Sequence, residues 1–192
     1  MSTWFDEQYY LTVKLAQLHA INETDLNGQQ YTMKTLLDAL DRAGLTPEEH
    51  YLQYGRDEGL NPNAYFNEQE YLIAKTAQVN DIRQDGRADW TVEQVATAIK
   101  NINMTPLQHY ERYGTQETFT NGSLINPSNA FDANAYASAK LYQLEQYGTA
   151  QEKSTWAEKN GAELAQYIEE QGMSMVITIC CMAPRKPKQM MC

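Results

Sequence analysis

The sequence predicts an all-α fold of three tandem three-helix repeats of about 60 residues each, packed as a helical array. A first string recurs three times without gaps: Trp4-Phe-Asp-Glu-Gln-Tyr-Tyr10-Leu, Tyr65-Phe-Asn-Glu-Gln-Glu-Tyr71-Leu and Ala130-Phe-Asp-Ala-Asn-Ala-Tyr136-Ala. Lys14, Lys75 and Lys140 follow at one fixed distance. A second string recurs twice: Gly44-Leu-Thr-Pro-Glu-Glu-His50-Tyr-Leu-Gln-Tyr-Gly55 and Asn103-Met-Thr-Pro-Leu-Gln-His109-Tyr-Glu-Arg-Tyr-Gly114.

The first string reads as a helix start. Asp6, Asn67 and Asp132 are suited to the N-cap, where a side-chain oxygen accepts a free backbone N–H of the first turn. Phe5, Phe66 and Phe131 precede the cap, and Tyr10, Tyr71 and Tyr136 follow four places after it, the spacing of a hydrophobic staple. Glu70 stands where it would complete a capping box with Asn67. Tyr10, Leu11, Leu15 and Leu18 continue as a stripe of helical period.

A second helix is expected in each repeat, over about 32–42, 91–101 and 157–170, preceded by Tyr31, Trp90 and Trp156. Leu36, Leu37 and Leu40 mark its apolar face in the first copy, and Val92, Val95 and Ile99 in the second. The third helix begins with Thr46 or Thr105 at the cap and Pro47 or Pro106 at the first helical position. Glu49 and Gln108 complete capping boxes. Gly55 and Gly114 are expected to end it in the left-handed conformation that glycine tolerates. About two turns long, it must dock on neighbours to persist. Asn61-Pro62 and Asn126-Pro127 then interrupt any continuous helix. The repeats are thus 1–64, 65–129 and 130–176, the third incomplete.

Residues 177–192 break the pattern. Gly172-Met-Ser174 matches Gly44-Leu-Thr46, but Ile177-Thr-Ile-Cys-Cys-Met-Ala183 does not continue it. Read two bases later, the same codons permit His-Tyr-Leu-Leu-Tyr-Gly, with the glycine forced by Met182-Ala183 and a glutamate permitted at Arg185-Lys186. The expectation is an out-of-frame or disordered tail without function, so that Cys180, Cys181 and Cys192 form no metal or redox site.

Composition narrows the function classes. The apolar fraction of 42% suits a packed core. A net charge of −10 repels phosphate backbones and anionic lipid, so nucleic acid is not an expected partner. All three cysteines lie in the tail, leaving the body without a disulfide or thiolate zinc site. The N-terminus lacks the basic and apolar regions of a signal peptide, and the most apolar stretch, 173–183, is too short to span a bilayer. A soluble protein without membrane insertion is expected.

No catalytic motif is present: no Gly-x-Ser-x-Gly, P-loop, His-Glu-x-x-His or dinucleotide fingerprint. His50 and His109 each lack companions at ligand spacing and read as packed imidazoles bonded to a backbone carbonyl, with Tyr51, Tyr54, Tyr110 and Tyr113 as core. The loops before the second helices hold candidate calcium ligands, Asp25 and Asn27 in the first copy and Asp81, Asp85 and Asp89 in the second. Against this, the twelfth positions counted from Glu23 and Asp81 are Lys34 and Val92, where an EF-hand loop places a bidentate glutamate. Turn formation alone also explains Asn, Asp and Gly there.

The string Phe-Asp…Tyr-Leu…Lys, then Thr-Pro-x-x-His-Tyr-x-x-Tyr-Gly, then Glu-Gly-x-Asn-Pro resembles a module repeated in large secreted bacterial surface proteins. These are adhesin-like and S-layer-like chains, loosely called calcium-binding because they also carry RTX repeats. The resemblance spans 4–176 and is sharpest over 47–63 and 106–114; after Gly114 the chain departs from the Glu-Gly-Leu-Asn-Pro linker. It implies an extracellular or cell-surface, non-catalytic structural or interaction module without a cofactor, whose partner is a protein or cell-surface component. The alternative is a calcium-responsive binding domain. The chain has no RTX nonapeptide, so the resemblance assigns calcium to no residue.

Overall fold

The computed structural model describes residues 5–83 and 85–171. The tail beyond Gln171, with Ser174 and all three cysteines, lies outside them, as does Trp4. The described residues are mostly helical and contain no β-sheet, only four isolated bridges such as Thr24–Gln30 and Thr118–Leu124. The chain forms two compact units, residues 1–66 and residues from 67 onward.

The first unit contains α1 (Glu7–Ala20), α2 (Met33–Ala43) and α3 (Pro47–His50), the last continuing into a π-helical turn over Tyr51–Gly55. Local chemistry sets each start. Asp6 accepts from the Tyr9 N–H at 2.9 Å, and Thr32 and Thr46 each form a reciprocal capping box. Such caps contribute about 1 kcal/mol each. Leu11 and Leu18 of α1 pack on Leu36 and Leu40 of α2, with Leu15, Tyr31 and Met33 at the margin. Leu37, expected on that face, is exposed; one position after Leu36 it turns away from α1.

The second unit opens with α4 (Glu68–Ile82), α5 (Val92–Asn101) and α6 (Pro106–His109), with a π-turn over Tyr110–Gly114. Leu72, Val95 and Ile99 form the matching cluster. Asn67 caps α4 through the Glu70 N–H, but the expected capping box is not made. The Asn67 N–H donates instead to the Pro127 carbonyl at 3.2 Å, and the Glu70 carboxylate accepts from the Asn129 N–H at 2.7 Å. In the first unit the Asp6 N–H likewise donates to the Pro62 carbonyl at 3.0 Å. Each Asn-Pro segment therefore folds back on the first helix of its own unit.

The unit continues with α7 (Ala133–Tyr147), α8 (Ala150–Trp156) and α9 (Gly161–Glu170). Asp132 caps α7 through the Ala135 N–H. Two expectations fail here. The polar stretch after Gly148 is a helix, started by a capping box between Thr149 and Glu152. The next helix begins at Gly161, not near 157, because Asn160 and Glu163 exchange cap hydrogen bonds at 3.0 and 2.9 Å. Leu164, Ala165 and Ile168 are buried on α9, and Ala133 and Ala137 on α7.

Gly55 and Gly114 correct a further expectation. Neither has a positive φ; Gly44 (φ 69°) and its counterpart Asn103 (φ 56°), which end the preceding helices, do. A Cβ on Gly55 would lie 2.5 Å from the Tyr10 hydroxyl, and one on Gly114 2.6 Å from that of Tyr71. Glycine is required there for space. In a helical turn Gly→Ala ordinarily adds stability. Here Gly55→Ala and Gly114→Ala should each destabilise by about 1–3 kcal/mol through overpacking. Urea denaturation tests this, and Tyr10→Phe should make Gly55→Ala less costly.

Candidate functional site

The recurring sequence signatures converge on one arrangement, found in residues 5–66 and again from Phe66 to Phe131. The first helix of each set offers Tyr, Lys and Gln on one face at i, i+4 and i+7: Tyr10, Lys14 and Gln17 on α1, and Tyr71, Lys75 and Gln78 on α4. The short third helix and its π-turn bring the complement. The Tyr10 hydroxyl bonds His50 Nδ1 at 2.6 Å, and the Tyr71 hydroxyl bonds His109 Nδ1 at 2.8 Å. Lys14 pairs with Glu58 at 2.7 Å, and Lys75 with Glu117 at 2.6 Å. Each lysine also donates to its glutamine, at 3.0 and 2.9 Å. The glutamines in turn donate to the Glu58 and Thr118 carbonyls.

Burial decides where the protons reside. It pushes the Tyr10 and Tyr71 hydroxyls far above the usual tyrosine range, with the nearby Glu58 or Glu117 acting in the same direction. It lowers the pKa of His50 and His109, against the partial opposition of the same glutamates. The bond therefore joins the tyrosine hydroxyl to Nδ1 of an uncharged imidazole, whose tautomer sets which of the two donates. The expected backbone carbonyl is not the histidines' partner at this nitrogen. Tyr51 and Tyr110 are buried beside Tyr10 and Tyr71 as edge-on rings, at 5.7 and 5.2 Å. Tyr54 and Tyr113, also expected in the core, are instead exposed and lie against the histidine rings at 5.4 and 5.3 Å.

A tyrosine–histidine pair near a carboxylate has the components of proton-transfer chemistry, which also needs room for a substrate. One open hollow of about 370 Å³ is lined by Trp90, Glu93, Gln94, Thr97, Ala98 and Asn101. Another, of about 440 Å³, is lined by Asn103, Met104, Gln108, Glu111 and Arg112. Neither contains a member of the Tyr–Lys–Gln–His–Glu arrangement. In the second hollow, burial raises the Glu111 carboxyl to about 7, and its Oε1 has no hydrogen-bond partner.

Three of the candidate calcium ligands, Asp25, Asp81 and Asp85, accept hydrogen bonds within the fold. Asp25 accepts from the Asn27 and Gln29 N–H groups at 2.8 and 3.1 Å, closing the turn that holds Gly28. Asp81 accepts from both the N–H and hydroxyl of Thr120, at 2.6 and 2.8 Å. Asp85 takes a two-pronged bond from Arg83 and a further one from the Arg87 N–H. These bonds hold all three carboxyls below the usual aspartate range. Asp89 is exposed. Among the described residues, no three His, Cys, Asp or Glu side chains are grouped to hold a metal ion.

The sequence reading missed the pairing of Lys14 with Glu58 and Lys75 with Glu117. The signal was present: lysine and glutamate stand at matching positions of both copies, and buried lysine requires a counter-charge. Comparison with protein-family models, curated proteins and solved structures gives no match.

The opposite pKa displacements give stability two pH limbs. The histidines bind protons more weakly folded than unfolded, so their contribution is complete above the unfolded value of 6.5 and lost as pH falls. Replacing both by glutamine should reduce the slope of stability between pH 6.5 and 5. Glu111 behaves oppositely: its contribution is complete below 4.5 and lost as pH rises through about 7. Glu111→Leu, which installs the residue of the first copy (Leu52), should raise stability at pH 8 by about 2–3 kcal/mol relative to pH 4. Urea titrations across pH read both.

Proposed function

We propose that this chain is a non-catalytic structural or interaction module of a secreted or cell-surface bacterial protein, built as three tandem three-helix repeats. The observation that carries the reading is the use made of the signature residues. Tyr10, Lys14, Gln17, His50 and Glu58, and their counterparts Tyr71, Lys75, Gln78, His109 and Glu117, bond to one another and to backbone within their own unit. A repeat whose most characteristic residues are consumed internally is a scaffold; its exposed faces are free to differ and to bind. No helix among the described residues is long and apolar enough to cross a membrane. Partners are a protein or a cell-surface component, with no nucleic acid, since the acidic surface opposes a phosphate backbone.

Antibodies raised against residues 5–171 and applied to fractions of the source cells give the direct test. The reading expects the antigen in the surface or secreted fraction; confinement to the cytosol would sink it. Addition of millimolar calcium distinguishes the calcium-responsive alternative. Structural use of Asp25, Asp81 and Asp85 predicts an unchanged Tm, whereas a rise saturating with calcium would make metal binding part of the function.

A further inference from the structure

The hollow beside Trp90 has a counterpart on α9. Aligned on their caps, Thr91 and Asn160, the two helices line their hollows from the same positions: Gln94, Thr97, Ala98 and Asn101 on α5, and Glu163, Gln166, Tyr167 and Glu170 on α9. A tryptophan ahead of the cap lines each, Trp90 in the first and Trp156 in the second, which measures about 260 Å³. The buried positions match as well, Val95 and Ile99 with Leu164 and Ile168. Both hollows therefore lie on the side of the helix that the core does not use.

The two differ in what their polar groups do. In the α9 hollow they bond to one another: Lys159 pairs with Glu163 at 2.6 Å, Gln166 donates to Glu170 at 3.1 Å, and Trp156 is buried. In the α5 hollow Trp90 is 37% exposed. Both ends of the Asn80 amide clamp its backbone, at 2.8 and 3.0 Å, so the indole projects from a fixed point. Gln94 accepts from the Thr91 N–H at 2.9 Å through its carbonyl oxygen, which leaves its amide N–H groups for an acceptor outside the helix. Glu93, Thr97 and Asn101 are exposed along the same groove and add a carboxylate, a hydroxyl and an amide. The Glu93 N–H and the Thr91 hydroxyl hold the Glu93 carboxyl below the usual glutamate range, so it stays an ionised acceptor. The Arg83 guanidinium lies over the Trp90 ring, 5.8 Å from its centre, and donates to both oxygens of Asp85.

We propose that the hollow formed by Trp90, Glu93, Gln94, Thr97 and Asn101 binds an uncharged carbohydrate. Charge selects against the other ligand classes. No cation lines the hollow to receive an anion, Glu93 repels one, and the charge of Arg83 is already met by Asp85. A cationic ligand is disfavoured as well, because the guanidinium of Arg83 already stands over the indole where such a ligand would seek the ring. What fits is a neutral molecule with an apolar face for the indole and several hydroxyls for short polar side chains close by, which is the make-up of a sugar ring. At about 370 Å³ the space is near the lower end of small-molecule sites, roughly 300–1,000 Å³, and its open form suits a short stretch of a longer glycan. The proposal rests on the interaction reading above, for which it names one surface and its ligand, and not on where the protein resides.

The test applies the full chain to an array of neutral oligosaccharides (glucans, mannans, galactans and N-acetylglucosamine oligomers), with polygalacturonate as the anionic control. Calorimetry then measures the affinity of any oligosaccharide retained. The expected result is binding of a neutral chain and none of polygalacturonate. Trp90→Ala should weaken that binding by about tenfold or more. Removing the indole also takes a residue from the start of α5, so a second variant separates binding from folding. Thr97→Arg places a good helix former at an exposed position and fills the groove with its long side chain. It should abolish binding and leave Tm unchanged. Absence of any retained neutral glycan at millimolar concentration overturns the proposal, as does binding indifferent to Thr97→Arg. A dimer or a bound peptide that depends on Trp90, without sugar binding, overturns it too by assigning the hollow to a protein. None of these results alters the cell-fractionation test of surface location, so the two ideas fail separately.

Discussion

The described structure depends on a tyrosine hydroxyl occupying space that a neighbouring residue leaves by having no side chain. Tyr10 and Tyr71 each enter the gap over a glycine in the π-turn and reach a histidine one turn earlier. The third helix is a single α-turn prolonged by a π-turn, too short to hold its conformation in isolation. Its persistence comes from docking, and the docking has its steric and polar terms at one point. The π-turn is part of the same solution. Its wider backbone spacing, closed by bonds from the Arg56 N–H to the Tyr51 carbonyl and from Thr115 to Tyr110, places the glycine beneath the ring.

The lysine–glutamate pair beside it is better understood as a selector than as a source of stability. Bringing two charges into a partly buried site costs desolvation that their attraction offsets only approximately. Docking in the wrong register, however, would leave Lys14 or Lys75 buried without a carboxylate, a much larger penalty. The return of Pro62 and Pro127 to the first helix of their own units adds a second restraint on register. Local pairing of this kind also keeps sequence separations moderate, which favours rapid closure.

The same inward use of polar groups bears on function. Side chains that attract notice as catalytic or metal-binding, His50, His109, Asp25, Asp81 and Asp85, have hydrogen-bond partners that account for their chemistry. Glu111 differs, with a carboxyl oxygen unsatisfied beside a hollow where the first copy has a leucine. The proposed interaction reading therefore rests on the exposed surfaces that this inward bonding leaves unused.

Sequence by itself determined the helical class, the caps and the register. Asp6, Asn67 and Asp132 start helices because a short side-chain oxygen in extended backbone meets a free N–H three residues on, an interaction that needs no distant partner. Thr46 with Glu49 and Thr105 with Gln108 were legible for the same reason. Whether Glu70 would complete its box was not legible, because Pro127, sixty residues away, takes the N–H it would have bonded. The helix after Thr149 escaped notice because its polar sequence lacks an apolar stripe, although its capping box is local. The histidines, glycines and lysines of the signature were visible as a pattern, but their meaning was decided only by tertiary structure. Tyr10 and His50 are forty residues apart, and nothing in either neighbourhood states that one hydroxyl must lie against a glycine's missing side chain and a histidine's ring nitrogen at once.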